Sequence, residues 1–161
     1  MLISEFQSEL FADYFQFNIQ DEVVSGDLSK AWTEEAVERL LAINQGTIGI
    51  GTVRDMDVQI YLKIFDSEPE LMIDSNAINH INECDLEMSS DNLVIAGSTD
   101  YFPEAKRIKI GKGLFRVRVY YSNLEKLSDD RLDGEDSYEI HLWPTDKRTG
   151  IKILKNKNAS A

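Results

Sequence analysis

The sequence is poor in cysteine and in basic residues, and each shortage excludes a class of protein. A single cysteine, Cys84, among 161 residues cannot form an intrachain disulfide, which is the usual situation in a reducing compartment. Basic residues number 17 against 29 acidic ones, and the net charge of −12 repels nucleic-acid phosphates and anionic membrane surfaces. The composition therefore favours a basic protein as partner and argues against nucleic acid or membrane.

Long hydrophobic runs are also missing. No run approaches the ~20 apolar residues that a membrane-spanning helix needs. The first six residues lack the basic and apolar regions of a signal peptide, so we expect a cytoplasmic protein. The length, and the lack of an internal repeat or flexible linker, predict a single domain over residues 1–161, with frayed ends at 1–9 and 155–161.

The sequence is rich in short segments whose apolar residues recur with a period of two. Val58–Phe65 is the clearest, with Val58, Ile60, Leu62 and Ile64 on one face. The other segments are residues 14–19, 47–53, 82–88, 93–96, 107–110, 114–121 and 138–143, with a short edge strand at 151–154. About seven or eight strands predict a mainly-β fold, an antiparallel β-sandwich. A closed barrel is the alternative.

One segment, residues 34–44, has the pattern of an α-helix. Thr33 is a good N-cap, and Glu34 and Glu35 follow it at the positive end of the helix dipole. Gly46 can adopt the left-handed conformation that ends a helix. We therefore expect one helix among the strands, packed across an end or an open face of the sandwich.

Charge is distributed unevenly along the chain. Residues 105–124 include six basic and no acidic residues, whereas residues 65–105 include ten acidic and no basic ones. A two-residue loop at Lys112-Gly113 would form a hairpin in which Ile110 faces Phe115 and Ile108 faces Val117. This register sets like charges opposite each other, which destabilises a sheet. The four residues are Arg107, Lys109, Arg116 and Arg118.

Something acidic must compensate this basic hairpin. One interpretation is internal, namely the outward face of the 82–88 strand, which has Glu83, Asp85 and Glu87. The other interpretation is an external anion. Both stay open at the level of sequence.

An acidic segment lies between the last two long strands. Its carboxylates are Asp129, Asp130, Asp133, Glu135 and Asp136. The spacing does not fit a calcium loop, because Arg131 and Ile140 fall where oxygen ligands are needed. The segment is either a solvated loop or a surface that binds a partner.

No metal or cofactor site is predicted. The two histidines, His80 and His141, have no neighbours at ligand spacing, and His141 should face solvent, opposite to Ile140. Cys84 lies on an apolar strand face, where it should behave as a small hydrophobe. No motif surrounds a serine nucleophile, so no catalytic residue is assigned.

The N-terminal half resembles the competence protein J family, whose type member inhibits a bacterial nuclease that acts as DNA enters the cell. The resemblance covers residues 12–69. It is carried by Tyr14, Gln16-Phe17, Trp32-Thr33, Glu35-Ala36, Ala42, Gly46, Ile48, Arg54 and Ser67-Glu68. It implies a non-catalytic protein that inhibits a nuclease or serves as its immunity partner.

The functional hypothesis is therefore an acidic binding protein, not an enzyme, that recognises a basic protein such as a nuclease. Its partner-binding residues would be Asp129, Asp130, Asp133, Glu135 and Asp136. One alternative is a hydrolase that uses clustered carboxylates from residues 129–136 or Asp100 on a β-sandwich. Another is a β domain that binds an unidentified ligand. A concave site with shifted carboxylates would favour the hydrolase.

Overall fold

A computed structural model describes residues 1–97, 99–100 and 102–158. Within these residues the chain forms eleven strands, one α-helix and two short 3-10 turns. The strands are β1 (Leu2–Phe11), β2 (Gln16–Asp21), β3 (Leu41–Asn44), β4 (Thr47–Gly51), β5 (Asp57–Phe65), β6 (Ile78–Met88), β7 (Asn92–Gly97), β8 (Lys106–Lys109), β9 (Gly113–Ser122), β10 (Ser137–Pro144) and β11 (Lys152–Lys155). The helix α1 is Glu34–Arg39, and the 3-10 turns are Asp13–Phe15 and Phe102–Glu104. The mainly-β prediction is confirmed, with eleven strands in place of seven or eight.

The chain divides into two compact units. The first comprises Met1–Glu9, Val58–Asp85 and the chain from Phe115 onward, and the second comprises Leu10–Asp57 and Leu86–Leu114. The single domain over residues 1–161 and the frayed ends stay predictions, and residues 159–161 lie outside the described part. Residues 2–11 nevertheless form strand β1, which the sequence pattern did not predict.

The first unit contains most of a six-stranded sheet with strand order β1-β5-β10-β9-β6-β11. β10 pairs with β9 in the antiparallel sense but with β5 in the parallel sense, so the sheet is mixed. The alternation predicted for β5 is confirmed, because Val58, Ile60, Leu62 and Ile64 are all buried. Burial of these branched side chains on one face makes β5 a main contributor to the core of this unit.

The second unit contains a five-stranded antiparallel sheet with strand order β3-β4-β2-β7-β8. Phe17 and Ile19 of β2 lie between Ile50 and Ile48 of β4 and Gly97 and Ile95 of β7. The β3–β4 turn contains Gly46 at φ +66°, where a Cβ atom would come within 2.1 Å of the Val24 carbonyl oxygen. Glycine is required there both by conformation and by space.

The helix begins as predicted but ends early. Thr33 is the N-cap, and its side chain accepts a hydrogen bond from the Ala36 N–H. The helix ends at Arg39 because Leu40 adopts the left-handed conformation, with φ 63°, and its N–H bonds to the helix carbonyls. The prediction of a helix over 34–44 is therefore wrong beyond residue 39, since residues 41–44 form β3 instead.

The predicted hairpin of residues 107–118 is wrong. β8 pairs with β7, so that Ile108 lies opposite Leu93, whereas β9 belongs to the six-stranded sheet and pairs with β10. Gly111, with φ 97°, lies in the connection between β8 and β9, and Gly113, with φ 121°, begins β9. The period-two pattern located both strands but could not identify their neighbours.

Candidate partner-binding loop

The acidic segment between β9 and β10 is a hydrogen-bonded loop with a defined shape. The Ser128 N–H donates to the Asp133 carbonyl and the Glu135 N–H to the Lys126 carbonyl, both at 2.8 Å. An antiparallel bridge joins Leu127 to Gly134. These contacts close a small hairpin whose tip comprises residues 128–133.

The Ser128 hydroxyl organises this tip. It lies 2.7 Å from Asp130 Oδ1 and 3.0 Å from the Asp133 carbonyl oxygen, and it accepts the Asp133 N–H at 3.0 Å. The Leu132 N–H also donates to Asp130 Oδ1 at 3.0 Å. The Ser128 hydroxyl, followed by the Leu132 N–H, holds the pKa of Asp130 below its ordinary value, because both bonds favour the ionised carboxylate. Asp130 is therefore a fixed negative charge at neutral pH.

Four of the five predicted carboxylates reach the surface. Asp129, Asp130, Asp133 and Glu135 are exposed. Asp136 is 1% exposed and accepts a hydrogen bond from the Tyr138 hydroxyl at 2.8 Å. The loop therefore brings four carboxylates to one exposed segment, whereas Asp136 anchors the loop to β10 from inside.

Two further features of the loop were not predicted. Leu132, in the tip, is 52% exposed and places a large apolar side chain among the carboxylates. An open concavity of about 660 Å³ is lined by Lys126, Leu127, Ser128, Asp133, Gly134 and Glu135. A leucine inside an acidic, otherwise polar segment was the sequence signal that could have located this apolar contact point.

A charged face of the six-stranded sheet, formed by Arg116, Arg118, Glu83 and Asp85, replaces the predicted basic hairpin. Arg116 bonds Glu83 at 3.1 Å and Asp85 at 2.5 Å, and Arg118 bonds Glu83 at 2.8 Å. Both arginines and Glu83 are buried. The internal interpretation of charge compensation is thus confirmed for these two arginines, with acidic partners on the strand that the sequence indicated.

The other two predicted members of that cluster, Arg107 and Lys109, lie on β8, where Lys109 is exposed and Arg107 has a different partner. Arg107 bonds Glu22 at 2.7 Å and three backbone carbonyls between residues 102 and 105, all in the second unit. Its guanidinium also lies 5.0 Å from the Phe102 ring centre. Arg107 therefore fastens the loop before β8 and takes no part in the charged face.

Arg118 is held from several directions at once. Its guanidinium lies 4.8 Å above the Trp143 ring, donates to the Pro69 carbonyl at 3.2 Å, and pairs with Glu68 at 3.2 Å. Arg116 donates to the Gly150 carbonyl at 3.2 Å, while its Nη2 is buried with no hydrogen-bond partner among the described residues. These contacts tie the loops around residues 69 and 150 to β9, which is a structural task.

His141 is buried, so the prediction that it faces solvent is wrong. Its ring packs against Phe65 and Tyr120, with centroid distances of 5.0 and 4.9 Å, and its Nε2 lies 2.6 Å from Glu139. Hydrogen bonding to His141, with the nearby charge of Lys63 contributing, lowers the pKa of Glu139 although burial opposes this. The face of β10 that alternation assigned to solvent is instead filled by aromatic and charged neighbours.

Neither a metal centre nor a membrane-spanning helix occurs within residues 1–97, 99–100 and 102–158. No three His, Cys, Asp or Glu side chains converge there to bind a metal ion, and no helix is long and apolar enough to cross a membrane. Asp100, the other carboxylate considered for catalysis, accepts the Gly97 N–H at 2.8 Å and thereby closes a turn.

Comparison with solved structures identifies two proteins of similar fold. ComJ of Bacillus subtilis, an inhibitor of the DNA-degrading activity of NucA, superposes with a TM-score of 0.66 and 21% sequence identity, over 90% of this chain and 99% of ComJ. The protein of crocagin biosynthetic gene J superposes with a TM-score of 0.54 and 16% identity, over 88% of this chain and 99% of that one. No protein-family model matches the sequence, and no curated protein matches it significantly. The resemblance predicted from residues 12–69 is thus confirmed as a likeness of fold, and it extends over most of the chain.

Proposed function

We propose that this chain is a non-catalytic binding protein that inhibits a nuclease and that it binds through the loop of residues 125–135. The observation that carries the proposal is the hydrogen-bonded loop, in which one short segment exposes four carboxylates and Leu132. The shared fold with an inhibitor of DNA degradation supports the same function. The partner would be a basic protein, with neither nucleic acid nor membrane as direct ligand.

Charge complementarity is the physical basis of this function. A nuclease presents cationic groups to the phosphates of its substrate, and a surface with fixed carboxylates can occupy the same groups. The net charge of −12 would steer such a partner over long range, and the loop would provide the local contact. Asp130, whose pKa is lowered, remains charged throughout the neutral range.

The closed shape of the loop adds to the expected affinity. Hydrogen bonds already restrain residues 126–135, so binding requires little further ordering of the backbone. Leu132 can fill an apolar hollow of the partner while the surrounding carboxylates form a polar rim, which is the usual arrangement of an interface hot spot. We also propose a cytoplasmic location, because one cysteine suits a reducing compartment.

The test is to neutralise the loop with Asp129→Asn, Asp130→Asn, Asp133→Asn and Glu135→Gln together. The partner would be a basic nuclease encoded in the same genome, and binding kinetics would be recorded at low and moderate salt. We expect slower association and a weaker salt dependence than in the parent chain. Leu132→Ala should instead speed dissociation, since loss of an apolar contact acts mainly on the lifetime of a complex.

A matched control removes the same charge elsewhere through Glu34→Gln, Glu35→Gln, Asp57→Asn and Asp146→Asn, all at exposed positions outside the loop and outside residues 66–104. This variant should associate almost as fast as the parent chain. Both variants should remain folded and unfold in urea close to the parent's midpoint, because the substituted carboxylates are exposed. No binding to any such nuclease would refute the inhibitor proposal. Unchanged kinetics in the loop variant would move the interface to the acidic stretch between Asp66 and Glu104.

A further inference from the structure

Strand β1 is an edge strand whose outer side has no neighbouring strand among the described residues. It is first in the order of the six-stranded sheet. Near its two ends the Met1 carbonyl accepts the Asp66 N–H at 3.1 Å and the Ala12 N–H donates to the Met56 carbonyl at 2.9 Å. β5 is the one neighbour of β1 in the sheet order, so the other edge of β1 faces no strand of the described residues.

The protecting charges on this edge strand are limited to Glu5 and Glu9. Natural edge strands are short or contain lysine, proline or bulges that prevent pairing. β1 is ten residues long and contains no lysine, arginine, proline or glycine. Its apolar side chains are unusually accessible, with Ile3 63% and Leu2 43% exposed. Exposed edges of this length can pair with a further strand.

On one face of β1 the order of residue types is the same from either end of the strand. That face contains, in order, Leu2, Ser4, Phe6, Ser8 and Leu10. If two copies pair antiparallel about a two-fold axis through Phe6, each leucine lies opposite a leucine and each serine opposite a serine. On the other face Glu5 lies opposite Gln7, and Ile3 lies opposite Glu9.

Neighbouring registers are worse. A shift of two residues in one direction sets Glu5 opposite its own copy, and a shift in the other direction sets Glu5 opposite Glu9. Like charges directly opposite are destabilising, and both shifts also place Phe6 opposite serine. The pattern therefore selects one register and one partner, because only an identical strand supplies the same sequence in reverse.

We propose that β1 mediates a homodimer in which two six-stranded sheets join through antiparallel β1–β1 pairing centred on Phe6. Directly opposite residues in such a pair have Cα atoms ~4.5–5.5 Å apart. Ser4 of one copy then lies within disulfide reach of Ser8 of the other. The two Ser4 residues are four positions apart along the strands and therefore about 14 Å apart, from ~3.4 Å per residue. A disulfide needs Cα atoms within about 7 Å.

The first experiment uses the full chain with Ser4→Cys or Ser8→Cys. Cys84 is fully buried, so the introduced thiols are the accessible ones. Under mild oxidation the two variants mixed together should form a covalent dimer, whereas each variant alone should form little. Equal cross-linking in the separate and mixed samples would overturn the register. A parent chain that sediments as a monomer over the whole accessible concentration range would overturn the dimer, and β1 would then be open to a strand of another protein.

The second experiment changes charge at the exposed Gln7, which faces Glu5 of the other copy twice per dimer. Gln7→Lys should tighten the dimer and Gln7→Glu should weaken it, each by ~2- to 30-fold in dissociation constant. The controls Asn76→Lys and Asn76→Glu make the same charge changes at an exposed position outside the strand. Equal effects at residues 7 and 76 would mean that net charge alone acts, and would refute the pairing.

Discussion

Removal of the Arg116 guanidinium tests whether the charged face holds the six-stranded sheet together. The Arg116 side chain is 6% exposed and pairs with Glu83 and Asp85. Arg116→Met keeps most of the aliphatic stem, so the change is mainly electrostatic. It leaves two carboxylates close together and out of water. Breaking a buried ion pair in this way costs ~3–5 kcal/mol, a large part of the ~5–15 kcal/mol that stabilises an ordinary domain.

The reciprocal change is Asp85→Asn. Asp85 Oδ2 accepts the backbone N–H groups of Thr149 and Gly150 at 3.0 and 2.8 Å, and an asparagine oxygen can still accept one of them. We therefore expect a smaller cost, ~1–3 kcal/mol. The double variant should cost less than the sum of the two, because the interaction lost in each single variant is the same. A coupling of ~1–3 kcal/mol is expected for residues in direct contact.

Equilibrium urea unfolding of the parent, the two single variants and the double variant measures this coupling. The comparison requires that the free energy of unfolding depends on urea concentration with the same slope in all four proteins. The exposed ion pair between the Met1 ammonium group and Asp66, at 2.8 Å, is the control. Asp66→Asn should change the free energy of unfolding far less than Arg116→Met does, because this ion pair is exposed to solvent. A cost near that of the control for Arg116→Met, with coupling below ~0.5 kcal/mol, would refute the structural role of the charged face.

Two further predictions concern the cores of the two units. Leu62→Ala should cost ~2–5 kcal/mol in urea unfolding, because Leu62 is buried in the first unit, and a loss of ~0.5 kcal/mol would place it at the surface. In the second unit, burial acts to raise the pKa of Asp21, but hydrogen bonds from the Ser90 hydroxyl and from the N–H groups of Val24, Ser89 and Ser90 outweigh it and lower the pKa. Asp21 therefore stabilises the fold above the ordinary aspartate pKa of 3.8, and this contribution disappears as the pH falls through its lower folded value. The difference in free energy of unfolding between the parent and Asp21→Asn should be largest at pH 7 and should decrease below pH ~4. A difference that does not change with pH would contradict the reasoning.

Sequence patterns predicted local structure well where side-chain alternation and burial coincide. β5 shows this, because its four branched residues are inward and its polar residues are half-buried. The helix prediction failed at Leu40. This residue adopts the αL conformation, which is costly for leucine, and the helix therefore ends before it and a strand begins after it. Periodicity did not reveal this, since Leu41 continues both the helical and the strand pattern.

Most of the wrong predictions concern which strands pair with each other, because pairing joins residues that are far apart in the sequence. Alternation in residues 107–110 and 114–121 specifies faces but not neighbours, so the two strands were placed together although they belong to different sheets. The sequence did name the acidic partners of Arg116 and Arg118 as one of two interpretations, because buried charge must be compensated nearby, but only the structure could exclude the external anion for these two arginines. In the loop, charge predicted exposure for Asp129 and Asp130, whereas Asp136 is buried by its contact with Tyr138, which only the fold could show.

The parallel pairing of β5 with β10 has a consequence for how the protein is made. Gln59 lies opposite Ser137, so β5 leaves the ribosome long before its neighbour is synthesised. No tight turn can join parallel strands, and closure of the intervening chain costs entropy before the pairing stabilises anything. Completion of the six-stranded sheet is therefore a late and comparatively slow event. Until β10 has been synthesised, the edge of β5 that will pair with it has unpaired backbone groups. The nascent chain is then most prone to aggregation.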